Sequence, residues 1–252
     1  MLQRPHRRSG LAGPVAALGA PWLWFLLRDH TGPVGDVVAI LLPVLVVLGA
    51  LALAWRRCAL LADPADVTVL SETSFGAHRR LADGYRYSVF GGTGDVSVYS
   101  RFPLRVLEKA GRDLPGGRVR VEAPVPFTLY ALHVPRPWIT DRGYQVTPVE
   151  HHRIMVALAA QVAAEPGPVV LAGDLNTTDR GRDYRVMAGA LTDAVRDTRQ
   201  GPTQVTTWRP LLLRIDHVFV SRGWCGDDPL HLPLPGSDHD AVTATVGPCR
   251  WR

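Results

Sequence analysis

Lysine and asparagine are almost missing from this chain. One of its 28 basic residues is a lysine, Lys109, and its one asparagine is Asn176. Arginine stands in for lysine at every kind of position, which reads as a bias of genome composition. Cysteine is also scarce: Cys58, Cys225 and Cys249 allow one disulfide and leave one thiol over. Charged residues make up 20% against 46% hydrophobic, which excludes a disordered acidic or basic tail. No internal repeat or low-complexity tract is present. The net charge of +5 does not lie where a nucleic-acid binder needs it. Residues 1–58 hold six arginines and two aspartates, a net of +4, which leaves 22 basic and 21 acidic residues beyond them. A soluble nucleic-acid binder carries a basic face on its folded domain, and a net of +1 offers no strong patch of that kind.

What the first 58 residues do have is apolar length. Residues 37–55 (VVAILLPVLVVLGALALAW) are 19 residues without a charge. A helix rising about 1.5 Å per residue needs roughly 20 of them to cross the hydrocarbon layer. Pro43 is tolerable inside such a span, and Arg56 and Arg57 follow it at the interface. Residues 9–27 form a second uncharged stretch, with Trp22 and Trp24 placed as an interfacial belt would have them. These two segments are the candidate transmembrane helices of a membrane region over 1–58. A signal peptide with one anchor is the competing reading, but no clear small-x-small cleavage site precedes a soluble stretch. The expectation is a multi-pass protein of the cell membrane with the lipid bilayer as a partner. Arg4, Arg7 and Arg8 before the first span, with Arg56 and Arg57 after the second, would put the following domain in the cytoplasm. Cys225 and Cys249 point the other way if they pair, because a disulfide persists in an oxidising compartment.

Residues 59–252 alternate short strands and helices. ADVTVLSE reads as a buried strand, and YRYSVF and DVSVYS as a hairpin around residues 91–94. RVRVEA and FTLYALHV are further strands. Thr147-Pro148-Val149-Glu150 opens a helix with a cap, a first-turn proline and a capping-box glutamate, and that helix runs to about Ala164. PVVLAGDLN is a strand emptying into a polar loop, YRVMAGAL a second helix, and RIDHVFVS and AVTATV late strands. The pattern predicts an α/β (α+β) sandwich whose strand ends carry polar residues into one site.

Five polar clusters end these strands: Glu72, His133, Asp174 with Asn176, Asp216, and Asp238 with His239. Hard carboxylate oxygens such as those of Glu72 and Asp238 suit Mg2+, with Mn2+ as the alternative ion. A carboxylate paired with an imidazole suits proton transfer or stabilisation of charge in a transition state. The chemistry that uses all of these groups is metal-assisted attack of water on a phosphate ester. His151 and His152 read as surface residues of a helix's first turn. His217 alternates with Asp216, so it faces the opposite side of its strand.

Glu72 in VTVLSET, the stretch VYSRFPL, His133 in YALHVPRP, then GDLN, IDHV and GSDH occur in the order found in the endonuclease/exonuclease/phosphatase superfamily, which this chain resembles over about 66–246. The resemblance implies a four-layer α/β/β/α sandwich, here preceded by the N-terminal transmembrane helices. It implies that Glu72 ligates the metal, with Asp238 as a second carboxylate there. Asp174 would orient or deprotonate the attacking water, and Asn176 would steady that water or the phosphate. His239 would contact the phosphate with Asp216 orienting it, and His133 would be a second donor near the phosphate or leaving group. One part of the pattern is not met: members begin with an Asn-bearing strand and a helix, and nothing between Arg56 and Ala65 resembles that unit. If a third span was lost with it, the charge argument reverses and agrees with a Cys225–Cys249 pair. Two readings of function follow, a membrane-anchored Mg2+-dependent phosphoesterase and a non-catalytic, membrane-tethered descendant kept as a scaffold. A soluble DNA-repair nuclease is disfavoured by the spans and the near-neutral domain. The loops 74–88, 136–146, 177–183 and 198–210 hold no recognisable substrate code.

Overall fold

A computed structural model describes residues 65–93, 95–139, 143–196, 213–232, 234 and 237–249. Both candidate transmembrane segments and the region in which an Asn-bearing first strand would fall lie outside the described residues. Among the described residues no helix is long and apolar enough to cross a membrane. The folded unit runs from Asp63 to Arg252.

The centre of the domain is a six-stranded sheet in the order β10-β11-β9-β6-β5-β4. Its strands are β4 (Leu104–Glu108), β5 (Gly116–Val121), β6 (Phe127–His133), β9 (Val169–Asp174), β10 (Thr192–Asp193) and β11 (Asp216–Val220). β6 is buried at all seven positions. A strand covered on both faces has no polar side to show, hence its unbroken apolar run FTLYALH. Its alternation sorts the two cores. Tyr130 and Leu132 join Leu171 and Phe219 under the helices, while Leu129 and Ala131 join Val119, Val170 and Val220 under a second layer of strands.

The helical layer holds α2 (Pro148–Ala164) and α3 (Arg182–Ala190). Thr147 caps α2 by accepting from the Glu150 amide at 3.2 Å. The Glu150 side chain pairs with Arg153 at 2.8 and 2.9 Å, so its carboxylate is engaged by a basic side chain one turn on. Ile154, Met155, Leu158 and Val162 turn inward at helical spacing. Burying side chains of that size is worth roughly 1.5–3 kcal/mol each. Truncating Leu158 to alanine would cost about 2–5 kcal/mol.

Among the described residues the second β layer comes in two pieces, β1-β3-β2 and β12-β13. They comprise β1 (Val67–Leu70), β2 (Tyr87–Thr93), β3 (Val96–Ser100), β12 (Trp224–Leu232) and β13 (Ala241–Pro248). Val67 and Val69 of the first piece and Val242, Ala244 and Val246 of the second pack on the same face of the central sheet. Among the described residues, β1 pairs only with β3 and β13 only with β12. A disulfide joins Cys225 to Cys249 across the second piece. Tyr99 points away from that core and meets α1 (Phe75–Ala82) through His78 Nδ1 at 3.1 Å. That helix occupies residues expected to be loop. Its apolar content is too low to stand out, and none of its residues is buried. The layers are thus helix, sheet, sheet and helix. A small pair, β7 (Arg136–Pro137) and β8 (Gln145–Val146), sits between β6 and α2.

Candidate active site

The same alternation that builds the core ends in the site. Continuing from Leu129 and Ala131, His133 faces the second β layer; so does Asp174 after Val170 and Ala172, and so does Asp216 ahead of Val218 and Val220. Register puts the three in a row on adjacent strands, with His133 opposite Asp174 and Asp174 opposite Asp216. Glu72 arrives two residues past β1 and His239 two residues before β13. Five chain segments therefore converge at one end of the sandwich, between its two sheets.

Close backbone approach is needed there. Gly173 has φ of +141°, and a Cβ at that position would lie 1.9 Å from the Leu132 carbonyl oxygen. Only glycine lets β9 run that tightly against β6 beside His133. Glu72 and Asn176 also sit at positive φ, 53° and 47°. Such backbone costs a non-glycine residue on the order of 1 kcal/mol or more and persists only where neighbours hold it.

The acidic and imidazole groups fall into two sets. Glu72, Asp95 and His133 offer ligand atoms all within 4.8 Å of one another, and so do Asp174, Asp216 and His239. His133 Nδ1 is 2.7 Å from Asp95 Oδ2, and its Nε2 is 3.9 Å from Asp174 Oδ2, so the sets abut. His239 Nδ1 is 2.8 Å from Asp216 Oδ2. Burial drives the Asp174 carboxyl up to about 7, and the neighbouring Asp216 charge adds to it. Burial works against charge on His239, but its bond to Asp216 and the charges of Asp216, Asp174 and Asp238 carry it up to about 9. His133 is raised as well: burial opposes protonation, and Asp95, Asp174 and Glu72 overcome it. Two carboxylates within 4.8 Å of each other repel by at least about 3 kcal/mol at an effective dielectric near 20. A donor set of hard oxygens with one imidazole per group, arranged so that like charges crowd, fits a divalent cation.

Asn176 is fixed by three bonds. Its amide N–H donates to Asp174 Oδ1 at 2.7 Å, and its Nδ2 donates to the Val134 carbonyl at 2.9 Å and to Asp174 Oδ2 at 3.2 Å. Both Nδ2 hydrogens face acceptors, which identifies the nitrogen and leaves Oδ1 as the carboxamide atom these bonds do not use.

Asp238 joins neither set. It is exposed, on a bend just ahead of His239. Its recorded effect on the site is through its charge. The two residues that sequence reasoning missed are Asp95 and Tyr144. Asp95 sits in the turn just ahead of the buried strand VSVYS, a position where an acidic residue is ordinarily solvated. Tyr144 donates its hydroxyl to the His133 carbonyl and lies against the ring with centroids 4.4 Å apart. Burial, with Asp95, Asp174 and Glu72 nearby, pushes its hydroxyl well above the ordinary range. His151 is the clearest correction: it is 1% exposed rather than on the surface, because the first turn of α2 abuts α3 and the loop after β9. His217 does face away from Asp216.

A sandwich of this layering with acidic and imidazole groups at its strand ends defines a class of phosphate-ester hydrolases that generally depend on a divalent metal. The profile of the Endonuclease/Exonuclease/phosphatase family matches residues 48–239, and the chain belongs to that family. No curated protein matches it. Among solved structures it is similar to an endonuclease/exonuclease/phosphatase from Beutenbergia cavernae, with 21% identity, a TM-score of 0.56, and coverage of 78% of this chain and 66% of that one. This chain thus spans slightly less than two thirds of that relative. It is similar to a family member from Bacteroides vulgatus at 15% identity and TM-score 0.56, covering 77% and 91%. It also resembles a mannosyl-6-phosphatase from Bacteroides thetaiotaomicron at 15% identity and TM-score 0.52, again covering 77% and 91%. At these identities the likeness is one of fold.

Proposed function

We propose that the chain is a membrane-anchored phosphoesterase dependent on Mg2+, with Mn2+ as a substitute, that directs water onto the phosphorus of an ester. The observation that carries this reading is the placing of Asp174 between two imidazole–carboxylate pairs at one end of the sheets. Asp174, with its carboxyl near 7, accepts the proton of the attacking water, a task for which a base poised near neutral pH is suited. Asn176 Oδ1 accepts from the same water and aims its lone pair. His239, a cation at neutral pH, donates to a phosphoryl oxygen while Asp216 fixes its ring. His133, held by Asp95 and Tyr144, is the second donor, toward the phosphate or the leaving oxygen. Glu72 and Asp95 would hold the cation, with Asp238 adding field from the rim. When bound, it would neutralise charge on the phosphoryl group and relieve the crowding of carboxylates.

The anchoring rests on the uncharged stretches 9–27 and 37–55. The Cys225–Cys249 disulfide supports a domain on the oxidising side of the membrane, since a cytosolic domain would be kept reduced. Cell fractionation with a membrane-impermeant thiol reagent after mild reduction tests both points. Labelling of intact cells at Cys225 and Cys249 is expected, and labelling only after lysis overturns the orientation.

The reaction is tested with the full chain in detergent, Mg2+, a nitrophenyl phosphodiester and a nitrophenyl phosphomonoester, beside Asp174→Ala. Turnover that needs the metal and is lost in Asp174→Ala is expected. A well-folded protein that hydrolyses neither ester nor a phospholipid overturns the reading in favour of a tethered scaffold.

A further inference from the structure

The turn that bears Asp174 and Asn176 is held from behind by two histidines that the proposed chemistry does not use. His151, on the first turns of α2, places Nε2 3.1 Å from the Leu175 carbonyl oxygen. His217, one residue past Asp216 but on the opposite face of β11, places Nε2 2.9 Å from the Thr177 carbonyl oxygen. A carbonyl only accepts, so each Nε2 carries its hydrogen and donates. The carbonyls just before and just after Asn176 are therefore both gripped by imidazoles, and each ring is 1% exposed.

Each ring has a carboxylate on its far side, hydrogen-bonded for His151 and, for His217, within ion-pair distance but beyond a hydrogen bond. His151 Nδ1 is 2.6 Å from Asp183 Oδ2, and Asp183 also takes His152 Nδ1 at 2.5 Å. Burial would raise the Asp183 carboxyl, but its bonds from His152 and His151 hold it below the ordinary range, so it stays a carboxylate. His217 Nδ1 lies 3.8 Å from Asp193 Oδ2, and Asp193 is fixed by Arg214 at 2.8 Å and Tyr184 at 2.8 Å. Two further polar groups of the turn are tied to neighbouring segments: the Leu175 amide to Ile215 and the Asp174 carbonyl to the Val134 amide. Asn176 stands between the two grips at φ of +47°, a backbone state that reverts unless its surroundings hold it.

We propose that His151, backed by Asp183, and His217, backed by Asp193, are positioning residues that lock the turn of Asn176 and so set the aim of Asn176 and Asp174 at the attacking water. The bland alternative is that the rings only satisfy buried carbonyls. The inference rests on the phosphoesterase reading for its kinetic consequence, but its structural part can be read without any turnover. Asn176 is the one asparagine in the chain, so full-length protein grown with 15N-asparagine in detergent shows one backbone amide and one carboxamide pair. The variants are His151→Leu, His217→Leu and the glutamine versions of both. Val162→Ala, at the far end of α2, is the comparison for lost core packing.

The expected result is a 10- to 100-fold fall in kcat for each leucine variant with KM held within threefold, the size typical of groups that orient active-site residues. His151→Gln recovers part of that loss, because its carboxamide can still donate to Leu175. The Asn176 signals move or broaden in the leucine variants and stay in place in Val162→Ala. If the leucine variants do not fold, the glutamine variants carry the test, with a fall of about threefold to tenfold and a smaller displacement of the same signals. Asn176 signals that stay in place, with kcat within twofold of Val162→Ala, overturn the proposal. A wild-type protein without turnover defeats the phosphoesterase reading, and the Asn176 signals alone then decide the lock: displacement in the variants supports it and fixed signals end it.

Discussion

The two imidazole–carboxylate pairs flanking Asp174 share their chemistry and differ in their footing. Asp216 and His239 join a central strand to the entrance of β13, and their side chains are 21% and 23% exposed. Asp95 and His133 join a hairpin turn to the end of a wholly buried strand; there the ring is 7% exposed and the carboxylate 36%. Bond lengths of 2.8 and 2.7 Å are nearly equal, so distance does not separate them. Footing does. His239 follows a bend ahead of β13 and pairs with the first residue of β11, whereas His133 ends a buried strand and pairs with a turn. Both rings are drawn toward charge against their burial, His239 to about 9.

The largest test of that difference is truncation. His239→Ala should lower kcat by about 10²–10⁴, as expected for a group donating in the transition state, and Asp95→Ala at saturating metal by about 10- to 100-fold, as expected for a group that orients His133 and helps hold the cation. Steady-state rates on one ester order the two, and equal losses would erase the distinction. The pH profile sharpens it. Asp174 must be ionised to act as a base, so the rate should rise at or below pH 7, because a bound cation favours the carboxylate. His239 must be protonated, so the rate should fall through about pH 9. Asp95→Asn should leave that falling limb in place, whereas Asp216→Asn should move it to lower pH.

Stability without metal should respond in the opposite sense to activity. Asp174 is raised from 3.8 to about 7 and His239 from 6.5 to about 9 on folding. Folded protein then holds extra protons, so both contributions are complete below the unfolded values and fade as pH rises through about 7 and about 9. Melting in a chelator should therefore fall between about pH 4 and 9, the Asp174 share ending near 7 and the His239 share near 9. Asp174→Asn should flatten the part below pH 7, raising Tm at pH 8.5 by roughly 3–6 °C if 1–2 kcal/mol of the crowding is removed. A mutant that melts lower at that pH would mean that Asp174 is not crowded. The smallest effect belongs to Tyr144→Phe. It removes one donor to the His133 carbonyl and should change kcat about twofold to fivefold, mostly through how well His133 is held.

Much of this was legible in the residues because the strands are short, strongly patterned and end in polar groups. GDLN, IDH and SDH mark three strand ends, and period-two alternation then fixes which of Asp216 and His217 meets the site. Less could be read where a contact joins segments far apart in sequence. Asp95 is 38 residues from His133, and in isolation it is one more acidic residue in a turn. His151 looked exposed because a first-turn histidine beside a second one has no local sign of burial; the burial comes from Asp183, 32 residues on. Asp238 reads as a metal ligand from its hard carboxylate and its place in SDH, but it is exposed on a bend and lies outside both clustered sets. The helix α1 leaves little trace in the sequence because its apolar content is low, it meets its sheet through His78, and it buries none of its residues.

The most direct test is a crystal of the full chain soaked in Mn2+ and measured at the manganese absorption edge. The account predicts an anomalous peak within coordination distance of the Glu72 and Asp95 carboxylates, at the Asp174 end of the sheets. A structure with Glu72, Asp174, Asp216 and His239 gathered as described and no peak beside any of them would contradict it.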